Sequence, residues 1–290
     1  MQASAQALPA KPWGFERRAY DADHVRPRRT QFAFADEIPR YWLNGNPART
    51  HLMNAMHLFL PPFERMLTQA VRRGALPALS DPVLIRQAKG YMGQETIHGC
   101  CHDLFVDHLR AQGYSVDRYG ALLDWLFCDL LQKRLGAKLG VSLVAAFEHH
   151  ANLFVPLAFS TDFLDGCEPA VRELLEWHLA EEVEHNAVAF DILQAVAPGQ
   201  ALRMAGNLLA LVVLYSSLVV GALFLLWQDR RLLQRSVWAE LGRFFVGKYR
   251  VVQNAAALFV EYARADYRPD PSRHSRLAQA VLSPSCRSPD

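Results

Sequence analysis

Cysteine is sparse here and unpatterned: Cys100, Cys101, Cys128, Cys167 and Cys286 form an odd-numbered set without a Cys-x-x-Cys unit. A disulfide scaffold is therefore not expected, and the thiols read as reduced, in a cytoplasmic compartment. An excess of charge is missing too. A formal net charge of +2 over 290 residues offers a polyanion such as nucleic acid no general attraction. No Gly-x-Gly-x-x-Gly fingerprint for a dinucleotide or flavin occurs, nor any His-Glu-x-x-His of the zinc peptidases. Met1 to Pro12 lack the basic start and apolar run of a secretion signal, so an intracellular protein is expected.

What is present is a 51% hydrophobic chain, enough for a substantial core in one large helical domain or a domain with an appendage. Residues 1–37 carry no apolar period and read as an extended arm, whose Arg26-Pro27-Arg28-Arg29 cluster suits either solvent or an acidic surface. A bundle is expected over 38–199. Its first helix starts at Pro47 and is broken or kinked at Pro61-Pro62, with Glu64 opening the next piece. Ser80 or Asp81 caps a helix that starts at Pro82 and runs to about Gly113. A short apolar helix is expected from about Ala121 to Leu135. A further helix from Ala137 to Phe163 is bent by Pro156, and Pro169 opens the helix that ends before Pro198-Gly199. Residues 200–266 follow as an apolar and an amphipathic helix, the latter from Ser236 to Ala265, and 267–290 as a loose tail. Leu208 to Trp227 is uncharged over about the length that crosses a bilayer. A helix buried against the bundle or an oligomer seam, a membrane-embedded anchor and a true span all fit it. Contact with the inner face of the membrane and a homodimer are both compatible with this stretch.

The densest chemistry lies in Trp177-His178-Leu179-Ala180-Glu181-Glu182-Val183-Glu184-His185, where His178, Glu182 and His185 share one face of a helix. Gln94-Glu95-Thr96-Ile97-His98 repeats the Glu-x-x-His unit, with His102 one turn on. An antiparallel hairpin levels residues equally far from its turn. The midpoint of Glu64 and Glu95 falls at Leu79/Ser80, inside the Pro77 to Pro82 connection. That of Glu148 and Glu182 is Asp165, inside the turn before Pro169. Each hairpin thus offers a Glu on one helix and a Glu-x-x-His on the other: Glu64 with Glu95 and His98, Glu148 with Glu182 and His185. Two such hairpins, joined by the crossover Tyr114 to Gly136, would gather four carboxylates and two imidazoles in one layer. That is the donor set of carboxylate-bridged di-iron and di-manganese bundles. Four buried carboxylates without cations would repel one another and take up protons.

His102 and His178 each stand four residues from a proposed ligand and read either as further ligands or as hydrogen-bonding neighbours. Gln94, Glu181, Glu184 and Asp191 are candidates for orienting the imidazoles, Glu181 and Glu184 reading equally as a solvated face. His149 points away from Glu148. Tyr91, one turn before Glu95, reads as a residue lining the site or as core.

The series Glu64, Gln94-Glu95-x-x-His98-x-x-x-His102, Glu148-His149 and Trp177-His178-x-x-Glu181-Glu182-x-Glu184-His185, followed by Ala189-Phe190-Asp191, resembles the bacterial family labelled predicted metal-dependent hydrolases. The resemblance covers roughly Arg40 to Leu193. The ligand arrangement is also similar to the ferritin-like di-iron superfamily, whose members activate dioxygen or store iron. It implies an all-α, ferritin-like four-helix bundle with a long crossover and an apolar C-terminal helical appendage. The implied ligands of two iron ions, or of manganese or zinc, are Glu64, Glu95, His98, Glu148, Glu182 and His185. The leading functional expectation is a di-iron oxidase or oxygenase acting on a small-molecule or lipid-like substrate, supplied with electrons by an external donor, with Tyr91 and Glu181 close to the chemistry. The alternative is hydrolysis by a metal-activated water with Glu181 as general base. Iron storage is a third.

Overall fold

Asn46 opens the first helix because its side-chain oxygen accepts from the backbone N–H groups of Ala48 and Arg49, and Pro47 needs no donor in the first turn. The computed structural model describes residues 25–28, 32, 38–270 and 272–282. Among these the chain is all helical, its only β pairing being an isolated bridge between Leu43 and Cys167.

Eleven α-helices follow in order: α1 (Pro47–Gln69), α2 (Pro82–Ala111), α3 (Asp117–Asp124), α4 (Gln132–Arg134), α5 (Gly136–Ala151), α6 (Phe154–Phe159), α7 (Pro169–Val196), α8 (Gln200–Gln228), α9 (Arg235–Phe245), α10 (Val251–Ala263) and α11 (Ser275–Leu282). Two π-helical stretches, Ala70–Ala75 and Trp125–Leu131, extend α1 and join α3 to α4. The core is built from the hairpins α1/α2 and α5/α7, which meet through α2 against α7 and α1 against α5. Ala70 to Asp81 connect the first hairpin. Asp81 caps α2 by accepting from Val83 N at 2.7 Å.

Several expected boundaries move. The α1 helix runs unbroken through Pro61 and Pro62. Those rings remove two helical hydrogen bonds, but Phe59, Phe63 and Glu64 on either side are all buried, and packing on both flanks overrides local propensity. Glu64 therefore sits inside α1. The helix expected to run from Ala137 to Phe163 with a bend at Pro156 is instead interrupted before it: Asn152 donates its side-chain N–H to the carbonyls of Glu148 and His149 and ends α5, leaving Pro156 in the separate α6. The crossover helix starts at Asp117, before the expected Ala121. The expected 236–265 helix is two, because Arg250 takes a left-handed conformation at φ 52° between α9 and α10.

The termini are less loose than expected. Tyr267 is buried, and α11 lies on α7; 283–290, with Cys286, lie outside the described residues. Of the arm, 25–28 and Phe32 lie against the bundle, and the remainder of 1–37 is likewise outside. No disulfide joins the four described cysteines.

Helix α8 packs against both α1 and α5, with Gly206, Ala210, Leu214, Leu218, Ala222 and Leu225 on its buried face. It is long and apolar enough to cross a membrane by length and composition. In this fold one face of it is bundle core, while Leu208, Val212, Val220 and Trp227 point outward.

Candidate metal centre

Four helices bring one acidic or acidic-and-imidazole segment each to the same level. Ligand atoms of Glu95, His98, Glu182 and His185 lie within 4.8 Å of one another, as do those of Glu64, His98 and His178. Two donors on opposite sides of one ion at the usual 2.0–2.2 Å stand roughly 4 Å apart, so the spacing is that of a coordination shell. All six side chains are buried. Glu64 fits because residue 99 has no side chain: a Cβ on Gly99 would stand 2.9 Å from Glu64 Oε2. Glu148 joins the set from α5, its Oε2 3.8 Å from His185 Nδ1.

The hydrogen-bond pattern divides these atoms into held and unheld. His98 Nε2 donates to Glu181 Oε2 at 2.9 Å, and His185 Nε2 donates to Gln94 Oε1 at 3.0 Å. Their Nδ1 atoms face the cluster without hydrogen-bond partners, as do both oxygens of Glu64, Glu95 Oε1 and Glu148 Oε2. His185 Nδ1 is 2.7 Å from Glu95 Oε1, yet the two are not aligned as a hydrogen bond. With Nε2 carrying the ring proton, Nδ1 presents a lone pair to that oxygen, and such a contact requires a proton or a cation. Six buried, unpartnered donor atoms converging on one space fit metal ions.

The electrostatics agree. Burial, then the neighbouring Glu95 and Glu182, pushes Glu64 well above the usual carboxylate range. Burial and the charges of Glu182 and Glu95 raise Glu148 likewise. Burial would also raise Glu182, but His185 and His178 outweigh it and hold it low. His185 is raised because Glu182 and Glu95 overcome the opposing effect of burial. Three imidazoles extend the site. His178 Nε2 is 3.1 Å from Glu182 Oε1, its Nδ1 is 2.7 Å from His102 Nε2, and the Nδ1 atoms of His102 and His57 are hydrogen-bonded at 2.8 Å.

Two expected roles change. Glu181 does not face the cluster as a base would. Its Oε1 accepts from Arg28 at 2.8 Å and its Oε2 from His98; burial would raise it, but these bonds hold it below its usual value. Tyr91 is core-buried and donates to Glu148 Oε1 at 2.5 Å, so it holds a carboxylate in place; burial and then Glu148 push its hydroxyl pKa well up. His149 uses both ring nitrogens elsewhere, donating to Leu258 O and accepting from Tyr267. Arg28, Gly99 and His57 were not legible as site residues. The only sequence signal for Arg28 was its place in an arginine cluster.

A cavity of about 80 Å³ opens on the cluster. Glu64, Glu95, Glu148 and Glu182 line it together with apolar residues that include Met53, Phe63, Phe147, Phe154, Leu179 and Leu214. Among the described residues, no lysine or arginine lines it.

Residues 26–273 match the family described as predicted metal-dependent hydrolase. No curated protein and no solved structure matches the chain. The match corrects the leading functional expectation. The family description favours a metal-dependent hydrolase, the alternative reading, over an oxidoreductase, whether oxidase or oxygenase. Metal dependence stands, on the family and on the buried Glu/His cluster.

Proposed function

The chain belongs to the family of predicted metal-dependent hydrolases, and from that premise we propose that it hydrolyses a small, uncharged, apolar carboxylic ester or amide at a pair of metal ions. The cavity carries this reading. Its carboxylate lining adjoins the candidate ion site, its apolar lining favours burial of an acyl chain, and the lack of a lysine or arginine among the described lining residues gives a phosphoryl group no cationic side chain there to pair with.

Glu64, Glu95 and His98 would hold one ion, and Glu148, Glu182 and His185 the other; zinc, manganese and iron all suit carboxylate and imidazole donors. When bound, such ions supply Lewis acidity that lowers the pKa of water and polarises a carbonyl. The protein's own residues supply the rest. His178 lies at the cavity wall, and we assign its Nε2 to take the proton from the attacking water. It then returns that proton to the departing oxygen or nitrogen as the acyl bond breaks. His102 accepts from His178 Nδ1, so the ring stays oriented with Nε2 toward the cavity. The surrounding aromatic wall excludes bulk water. The outward apolar stripe of α8 supports delivery of such substrates from a membrane surface.

The test loads the protein separately with zinc, manganese and ferrous ion and offers p-nitrophenyl acetate and butyrate, with p-nitrophenyl phosphate beside them. Ester turnover that a chelator abolishes and that falls about 10²–10⁴-fold in His178→Ala is expected. Turnover of the phosphate alone would overturn the substrate class. Ester turnover indifferent to metal would overturn the mechanism.

A further inference from the structure

We propose that Arg28 is a positioning residue that sets the orientation and tautomer of both cluster-facing histidines at once, through a strap that the chain lays across the bundle before α1. The inference rests on the metal-binding part of the proposed function, and concerns Arg28, which no expectation placed at the site.

The strap is seated by shape. Val25 is buried, and its carbonyl passes so close to α2 that a Cβ on Gly90 would stand 1.9 Å from it. Pro27 lies over Gly93, where a Cβ would meet its ring at 2.4 Å. Gly90 and Gly93 are three apart on one helix face, so they form a shallow groove that any side chain would fill. Further along, the Phe32 ring lies 5.3 Å from Trp177 on α7. These contacts deliver Arg28 to the seam between α2 and α7.

Its guanidinium there grips two carboxylates. Nη1 donates to Glu181 Oε1 at 2.8 Å and to Glu184 Oε2 at 3.0 Å, and Nη2 donates to Glu184 Oε1 at 2.8 Å. From each carboxylate a separate line reaches one imidazole. Glu181 accepts directly from His98 Nε2. Glu184 accepts from Gln94 Nε2 at 3.0 Å, and Gln94 Oε1 in turn accepts from His185 Nε2 at 3.0 Å. A carboxylate engaged by arginine only accepts. Glu181 therefore requires the His98 proton on Nε2. Glu184 requires the Gln94 amide nitrogen to face it, which turns the Gln94 oxygen to His185 and puts that proton on Nε2 as well. Both Nδ1 lone pairs are thereby directed at the cluster from one planar fork. A lysine is a point charge and cannot hold two carboxylates in this geometry.

Cobalt titration of the full chain tests this, read by calorimetry and by the cobalt d–d absorption, which reports ligand geometry independently of turnover. Arg28→Gln is expected to weaken both binding steps, by about 10–100-fold each. Glu181→Gln and Gln94→Ala are each expected to weaken one step only, and with different spectral changes. Arg28→Lys retains the charge and restores one step at most, which keeps the test decisive should Arg28→Gln fail to fold. Affinities within twofold of wild type in both Arg28 variants, or a loss confined to one and the same step in both, would overturn the inference while leaving the metal site standing. A wild-type chain that takes up no cobalt would overturn the metal reading itself.

Discussion

The two hairpins contribute the same three side chains to the centre, a Glu and a Glu-x-x-His, and both histidines are held from behind, but of the two single carboxylates only Glu148 is anchored by a hydrogen bond. On the α5/α7 side, Tyr91 donates to Glu148 and Gln94 accepts from His185, and Glu182 is flanked by His185 and His178. On the α1/α2 side, both oxygens of Glu64 lack partners, and its Oε2 stands over the bare backbone of Gly99. Beside it runs the string of His178, His102 and His57. Equal inventory at equal levels therefore produces one anchored carboxylate, Glu148, and one without a hydrogen-bond partner, Glu64. A hydrolytic centre can use that difference: the anchored carboxylate fixes its ion, while the unanchored one can shift to admit water and substrate.

The largest effect expected from breaking this comparison is at Glu182, whose Oε1 lies 3.3 Å from His185 Nδ1 and 3.6 Å from His98 Nδ1 and so touches both halves. Glu182→Ala should lose both metal equivalents on elemental analysis, whereas Glu64→Ala should lose one. Retention of one equivalent in Glu182→Ala would make the halves independent. A smaller effect is expected from Tyr91→Phe. It removes a hydrogen bond to a carboxyl group, which should cost about 2 kcal/mol of stability and weaken one binding step about tenfold, leaving the other unchanged. Equal weakening of both steps would mean that the rigidity is shared.

The smallest effect concerns acid. Burial, with a lesser contribution from His178, lowers the His57 pKa to about 3, against an unfolded value of about 6.5. Between those values only the unfolded chain binds the proton. The stabilising contribution is complete above about pH 6.5 and declines on acidification by about 1.4 kcal/mol per pH unit. His57→Phe keeps a ring against Phe105 and Trp42, which pack on His57, and removes that proton. Urea unfolding at pH 7 and pH 5 should then show a loss on acidification about 2 kcal/mol smaller than in wild type. An unchanged loss would mean that another group carries the acid sensitivity.

Much of the centre was legible because it depends on period and level. Glu95/His98 and Glu182/His185 share helix faces by spacing alone, and the midpoint rule aligned Glu64 and Glu148 with them. The rule survived the misjudged Pro61-Pro62, since an uninterrupted α1 keeps the same register. Illegible were the contacts made between segments far apart in sequence. Arg28 meets Glu181 across 153 positions, and His57 meets His102 across 45. The role of Glu181, read both as an imidazole-orienting group and as a base, stayed open for the same reason. Its letters permit a base or an anchor, and only its neighbours Arg28 and His98 decide between them.

The sequence alone determined that this chain is helical, that its acidic and imidazole side chains recur in two matching hairpins, and that such a set requires cations once buried. Those properties follow from backbone periodicity and from the cost of unpaired buried charge. The tertiary structure alone decided which atoms of those side chains remain open toward the cavity, which are held from behind by Arg28, Gln94 and Tyr91, and that one face of α8 is bundle core. Hydrogen-bond direction and burial depend on which surfaces meet, and no local pattern in the chain encodes that.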